Sequence, residues 1–458
     1  MLEIHHPKIQ SEAVDWILSV IFGEFLGIEY IARSSTEKGY CLQLNGKRLD
    51  LADSLFPQLQ ESWLIDEPMV KIPLVLWDAS KLGLSVSLTD PLLPVVFGEP
   101  YIDIESNRVD CHIDILGTAF YFLSRYEELV IKERDKYDRF PATASLAYRA
   151  GLLERPIVEE YVEILWACMK HLWPALERKT RQGKVRVSCD VDAPYDCSTK
   201  TALKLGKGLA ADILKRCNFG LARQRLQNYV STQRGNFNHD PFNTFDWYMD
   251  TCERFGHQAA FYFIVDHSSE LMDGCYEMSE PRIQDLLHRI AERGHEIGTH
   301  ASFNTYQNRR QLESERQRLI DTCDKLGINA SAKGNRQHYL RWDTSQTPDH
   351  IDASGYEYDT TGGFADRPGF RYGTSRPFTM WSWKKMKPLN VKQQPLVLME
   401  CSVFADRYMG LGYNDEAMDL MQSLKEKSLA YGGDFTLLWH NSHLSTELDK
   451  KFFAELIA

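Results

Sequence analysis

The sequence has no Cys-x-x-Cys pair, no excess of basic side chains and no long uncharged apolar run, and each absence narrows what the chain can be. Ten cysteines lie scattered without metal-finger or redox spacing, which predicts free, mostly buried thiols in a reducing compartment. A total of 53 Lys and Arg against 64 Asp and Glu gives a net charge of -11, the wrong sign for a nucleic-acid backbone or an anionic membrane surface. No stretch of about 18 uncharged apolar residues is present, so no integral membrane segment is expected. The apolar stretch near the N-terminus is interrupted by Asp15 and Glu24 and has no basic region before it. It therefore predicts an amphipathic helix rather than a signal peptide, and the expected address is the cytoplasm.

What is present is ordinary globular material, 43% hydrophobic and 26% charged, in a chain of 458 residues that is too long for one core. The predicted organisation is a mixed α/β domain over residues 1–180 and a second domain over 181–458, divided in the polar stretch ERKTRQGK. Within the first domain, apolar residues at helical spacing predict a buried helix over 114–130, with Arg125, Glu127 and Glu128 near its end, and another over 156–173. A basic helical stretch over 199–234 reads as an insertion, either a solvated excursion or a surface meeting an anionic substrate. Beyond it, strand and helix alternate to the end of the chain, with strands over 258–265, 296–299, 331–336, 395–401 and 434–439. That alternation predicts an α/β fold with a parallel sheet, closed into a barrel or doubly wound.

The strand over VRVSCDVD ends in Asp190 and Asp192, two apart and facing the same way, so their repulsion calls for a cation, a shared proton or a solvated turn. His300 follows the strand HEIGT, Arg336 and His338 follow the next, and His440 follows FTLLW. Acid, base and ligand chemistry thus recurs at the C-terminal ends of four strands, where catalytic groups of parallel α/β enzymes gather. Trp439 and Trp342 suit either the wall of a sugar cleft or the core. Ser188 and Cys189 stand near the site with no activating base marked in the sequence, so neither is read as a nucleophile.

The order of SCDVD, GHEIGTHASFN, RQHYLRW and LLWH resembles the ordered motifs of the polysaccharide deacetylases, the NodB-homology or carbohydrate esterase 4-like family. The resemblance spans about residues 184–444 and implies a distorted (β/α) barrel and a divalent metal ion, zinc first, used to hydrolyse N-acetyl groups on sugars. It implies Asp190 as general base, Asp192 and His300 as metal ligands, Arg336 as the residue orienting the base, and His440 as general acid. The substrate implied is an acetylated sugar or glycan precursor. The N-terminal portion, with LSRYEE and RPIVEE, resembles an uncharacterised domain that accompanies one bacterial branch of such proteins.

Two features depart from the family pattern. Val191 separates aspartates that are usually adjacent, and Asn304 stands where a second histidine is expected. Asp192 and His300 supply only two strong ligands where a catalytic zinc site has three. Asn304 and His338 are ranked first to complete the site. His295 is ranked behind them because it begins the HEIGT strand and falls about 13 Å or more from His300 by strand rise. Two rival readings stay open: another amide hydrolase acting on a formamide or ureide, and a catalytically silent carbohydrate-binding protein.

Overall fold

The computed structural model describes every residue except 9, 37, 62–69, 197–200 and 331. The first part of the chain builds a six-stranded sheet from β1 (Leu2–Pro7), β2 (Tyr30–Ser35), β3 (Tyr40–Leu44), β4 (Lys47–Leu51), β7 (Gly98–Ile104) and β8 (Arg108–Ile113), in the order β2-β1-β3-β4-β8-β7. Strands β5 (Val75–Asp78) and β6 (Leu92–Val95) form a separate antiparallel pair. Helix Ile157–Leu172 packs against β4 and β8 of the larger sheet and buries Ile157, Tyr161, Ile164, Leu165 and Cys168 completely. Residues 176–184 then run without helix or strand.

The remaining strands, β9 (Val185–Val191), β10 (Ala259–Phe263), β11 (Glu296–Ala301), β12 (Gly334–Gln337), β13 (Tyr358–Asp359), β14 (Phe378–Ser382), β15 (Lys387–Gln393), β16 (Leu398–Met399) and β17 (Phe435–Leu438), form one sheet. Its order is β14-β15-β13-β12-β11-β10-β9-β17-β16, with every pairing parallel except β14 with β15. Five consecutive buried residues end β9, as expected of a parallel strand covered on both faces. The expected barrel closure is absent from this hydrogen-bonded order. Its edges are β14, which runs antiparallel, and the two-residue β16, and among the described residues they do not pair with each other.

The two parts share a core. Phe364, Tyr372, Phe378, Trp381 and Trp383, all from beyond residue 181, pack into the hydrophobic cluster of the first sheet. Trp16 donates its indole N–H to the Thr379 carbonyl at 2.9 Å, and its ring lies 5.3 Å from that of Trp381. The helix predicted over 114–130 is broken into Ile115–Leu123 and Tyr126–Val130, because Arg125 turns left-handed at φ 54°. That turn buries the Arg125 guanidinium between Glu127 and Glu128, which a continuous helix would have left as a polar tip. The basic insertion folds as helices Ala202–Ala210 and Phe219–Gln233.

Among the described residues, eight cysteines carry free thiols, but Cys275 is disulfide-bonded, which corrects the expectation of free thiols throughout. Spacing along a sequence does not exclude a disulfide, which requires only that two Cβ atoms meet in space. One support for a cytoplasmic address is thereby removed. Among the described residues, no helix is long and apolar enough to cross a membrane.

Candidate functional site

Parallel pairing sets the site. In register, Asp190 of β9 lies beside Tyr262 of β10, and His300 of β11 lies beside Arg336 of β12. Gly298 permits this packing: a Cβ there would sit 2.5 Å from the Tyr262 ring, the ring that lies under the Arg336 guanidinium at 4.9 Å. A side chain at 298 would push that support away.

Asp190 is 2% exposed, and its Oδ1 accepts a hydrogen bond from Arg336 Nη1 at 3.0 Å. Arg336 is itself fully buried and is fixed by donating from Nε to the Thr360 carbonyl and from Nη2 to the Thr360 hydroxyl. The pair is directional as well as ionic. Asp192, two residues on, has left the strand and meets a different set of partners. Its Oδ1 lies 3.2 Å from His300 Nε2 and 3.6 Å from His338 Nε2, and its Oδ2 lies 3.6 Å from His440 Nε2. Burial works against ionisation of Asp192, but the surrounding imidazoles of His338, His300 and His440 hold it well below the ordinary carboxylate range.

The two histidines are oriented from behind. His300 Nδ1 lies 3.0 Å from the Arg336 carbonyl, which can only accept, so Nδ1 donates to it and Nε2 is the ring nitrogen turned toward Asp192. His338 Nδ1 lies 2.8 Å from Asp273 Oδ1, and Asp273 is held by the backbone N–H groups of Ser268, Ser269 and Phe303. Carboxylate-to-histidine support of this kind is what metal-ligating imidazoles use. The ligand atoms of Asp192, His300 and His338 all lie within 4.8 Å of one another, and Asp192 Oδ1 is buried with no hydrogen-bond partner. Two imidazole nitrogens and an orphaned carboxylate oxygen fit a divalent cation of the zinc type with a position left open.

Asn304 does not join them. It is exposed, its Nδ2 donates to the Ser268 carbonyl at 2.9 Å, and its Oδ1 accepts from Arg341 Nη1 at 3.2 Å. Those bonds spend the amide on the loop rather than on the cluster. His295 sits at the far end of β11, where its Nδ1 accepts from the Ala259 N–H and its Nε2 lies 3.2 Å from Glu253.

On the other side of Asp192, His440 follows β17, and its Nδ1 is 2.5 Å from Oε1 of Glu400, which is 1% exposed. Burial disfavours the charged ring, yet this carboxylate holds His440 well above its ordinary value. Glu400 and Asp273 are the functional groups that sequence reasoning missed. Both lie outside the quoted motifs, and neither ECSVF nor DGCYE carries a spacing that would announce them.

Asp190, Asp192, His300, His338 and His440 line one cleft, together with Tyr339, Tyr408, Arg407 and, from the first part of the chain, Arg139. Tyr339 and Leu340 both take positive φ, 63° and 55°, at the cleft wall. Consecutive non-glycine residues in that region mark a strained turn held by its surroundings. Trp439 and Trp342 do not wall the cleft: both are buried in core clusters. Ser188 donates to the Leu437 carbonyl, and burial pushes the Cys189 thiol up, which leaves neither as a nucleophile.

Residues 2–174 match the model of a family of unknown function, DUF7033. No curated protein matches the sequence. Among solved structures, the chain is similar to a protein assigned as a polysaccharide deacetylase from Mycobacterium smegmatis, at 15% identity over 61% of this chain and 84% of that one, with a TM-score of 0.40. It is also similar to the chitin deacetylase of the fungal pathogen Colletotrichum lindemuthianum, at 13% identity over 60% and 82% of the two chains, with a TM-score of 0.31. An allantoinase shows 15% identity over 46% and 63%, with a TM-score of 0.33.

Proposed function

We propose that this protein is a zinc-dependent hydrolase that removes the N-acetyl group of an acetamido sugar or glycan precursor. One observation carries the reading. Around Asp192, a carboxylate aimed by an arginine (Asp190 on Arg336) and an imidazole charged by a carboxylate (His440 on Glu400) face a His-His-Asp triad with a spare buried oxygen.

A divalent cation held by Asp192, His300 and His338 would supply Lewis acidity toward a carbonyl oxygen and toward water. Asp190 keeps Oδ1 on Arg336, and its Oδ2, 3.6 Å from His300 Nε2, is the oxygen that takes a proton from the attacking water. As the C–N bond breaks, His440 gives its Nε2 proton to the departing nitrogen, because an amine leaves only when protonated. Glu400 keeps that imidazole charged and in position while Arg336 aims Asp190, so acid and base are set by different neighbours. Tyr339 and Tyr408 offer aromatic edges and hydroxyls to a sugar at the cleft mouth.

The test is acetate release by the zinc-loaded protein across free, nucleotide-linked and lipid-linked acetamido sugars. Stoichiometric acetate and free amine from at least one class is expected. Turnover of a formamide or ureide without acetate from any sugar would replace this reading with the alternative hydrolase, and inertness toward all of them would favour the silent protein.

A further inference from the structure

Beside the proposed centre lies a second group of ligating side chains, which joins His440 and Glu400 to two residues that the reaction does not use, Cys401 and His443. Strands β16 and β17 are parallel neighbours, pairing Met399 with Leu438, so Glu400 and Cys401 leave one strand end next to His440 and His443 at the other. The ligand atoms of these four residues all lie within 4.8 Å of one another. Cys401 Sγ is 3.4 Å from His443 Nδ1 and 3.5 Å from Glu400 Oε1, while Glu400 Oε1 is 2.7 Å from His443 Nδ1 and 2.5 Å from His440 Nδ1.

We propose that Glu400, Cys401, His440 and His443 form a second, thiolate-containing zinc site whose occupation withdraws His440 from proton transfer. The effect on His440 rests on the function proposed above; the site itself does not. One sulfur, two imidazole nitrogens and one carboxylate oxygen are a four-coordinate zinc set. Bonds of that set place neighbouring ligand atoms roughly 3.3–3.7 Å apart by tetrahedral geometry, which the two sulfur distances already match. The nitrogen-oxygen pairs need to open by under about 1 Å once the protons between them are replaced by the ion.

A second observation points to a cation. Glu400 is buried, and while its Oε1 meets the other three side chains its Oε2 has no hydrogen-bond partner, so the carboxylate keeps unused acceptor capacity. The route in is short, because Cys401 and His443 line the cleft and His443 is 46% exposed on its side chain.

Binding sends the Sγ–H proton and the two Nδ1 protons to solvent and forms one Zn–S, two Zn–N and one Zn–O bond. His440 is then a neutral ring held through Nδ1. Giving up its remaining Nε2 proton would leave an imidazolate, so it becomes a far weaker acid than the imidazolium it replaces. Zinc at the first site would support turnover, and zinc at the second would stop it.

Cobalt reports on the two sites separately, because only the second holds a sulfur. Full-length protein stripped by chelator and titrated with cobalt(II) is expected to bind two ions per chain and to develop the near-ultraviolet absorption of a cobalt–thiolate bond. Cys401→Ser should lose that absorption and one ion, His443→Ala should weaken it, and Asp192→Asn should keep it while losing the other ion. With zinc, acetate release should fall by about tenfold or more beyond the first equivalent, and Cys401→Ser should relieve that fall measured against its own maximal rate. One ion per chain with no sulfur-derived absorption in the wild type overturns the site. A cobalt–thiolate signal without inhibition in an active enzyme overturns the effect on His440. Absence of acetate release at every zinc level would instead count against the proposed function, and the spectrum would still decide the site.

Discussion

Asp190 and Asp192 stand two residues apart and share His300 as a neighbour, yet only Asp190 is tied to a guanidinium and only Asp192 also meets His338 and His440, and the proposed division of chemistry follows that difference. Replacing Asp190 by Asn, or His440 by Ala, is expected to lower kcat by about 10²–10⁴-fold with the fold intact, since each moves a proton rather than fills the core. Loss of less than tenfold in steady-state assays, with unchanged circular dichroism, would contradict a proton-transfer role at about that scale. Glu400→Gln makes a sharper test. Glu400 holds His440 protonated to higher pH, and an acid that must be protonated loses activity as the pH rises through its pKa. The basic limb of the kcat/KM profile should therefore move to lower pH in Glu400→Gln, and an unmoved limb would detach Glu400 from the donor. Asp196, beyond Pro194, serves as a control that should change turnover little. Its N–H donates to Asp240 and its carboxylate lies 3.5 Å from Arg225.

At the scale of elements, strand ends carry the site and a broken helix ties the two parts of the chain together. Arg125, Glu127, Glu128 and Arg371 are all nearly fully buried, with Glu128 reaching Arg125 at 2.9 Å and Arg371 at 2.8 Å. Glu128→Gln leaves a buried guanidinium short of its partner and is expected to cost about 3–5 kcal/mol in chemical denaturation. A cost under about 1 kcal/mol would mean that the network is not coupled to folding. Burial raises the Glu128 pKa, but Arg371 and Arg125 outweigh it and bring the group down from 4.5 to about 2. A carboxylate lowered on folding stabilises above its unfolded value and loses that contribution as pH falls through its folded one, so this part of the stability should fade between about pH 4.5 and 2.

The same scale shows what a sequence can and cannot reveal. The placement of Asp190, His300, Arg336 and His440 was legible because strand periodicity ends abruptly at each of them. His338 was legible as a candidate from its position two residues past Arg336. Asp273 was not, since it comes from a loop and its role exists only where that loop meets β12. Glu400 sits in a stretch that reads as strand over 395–401, whereas the strand is only Leu398–Met399 and a helix begins at Glu400 itself. Asn304 misled for a related reason: motif position placed it near His300, but Ser268 and Arg341 take both ends of its amide. Trp439 and Trp342 show that an aromatic beside a site in sequence is as easily turned inward by its strand.

Across the whole molecule, the first part of the chain contributes to the cleft as well as to the core. Arg139 lines the cleft, donates from Nη1 to the Tyr339 carbonyl at 3.0 Å and pairs with Asp135 at 2.7 Å, bracing the strained wall from outside the second sheet. Phe378, Trp381 and Trp383 bury themselves in the first core, so a fragment of residues 181–458 would expose them. That fragment is expected to aggregate or to bind ANS, and a soluble fragment with a cooperative unfolding transition would contradict the shared core. The central claim is that Asp192, His300 and His338 hold the metal of a hydrolase. Anomalous diffraction at the zinc edge from zinc-loaded crystals tests it most directly. A peak is expected about 2.0–2.2 Å from an Asp192 oxygen and the Nε2 atoms of His300 and His338. Zinc bound elsewhere with these three side chains unligated, or no zinc in the cleft at all, would contradict it.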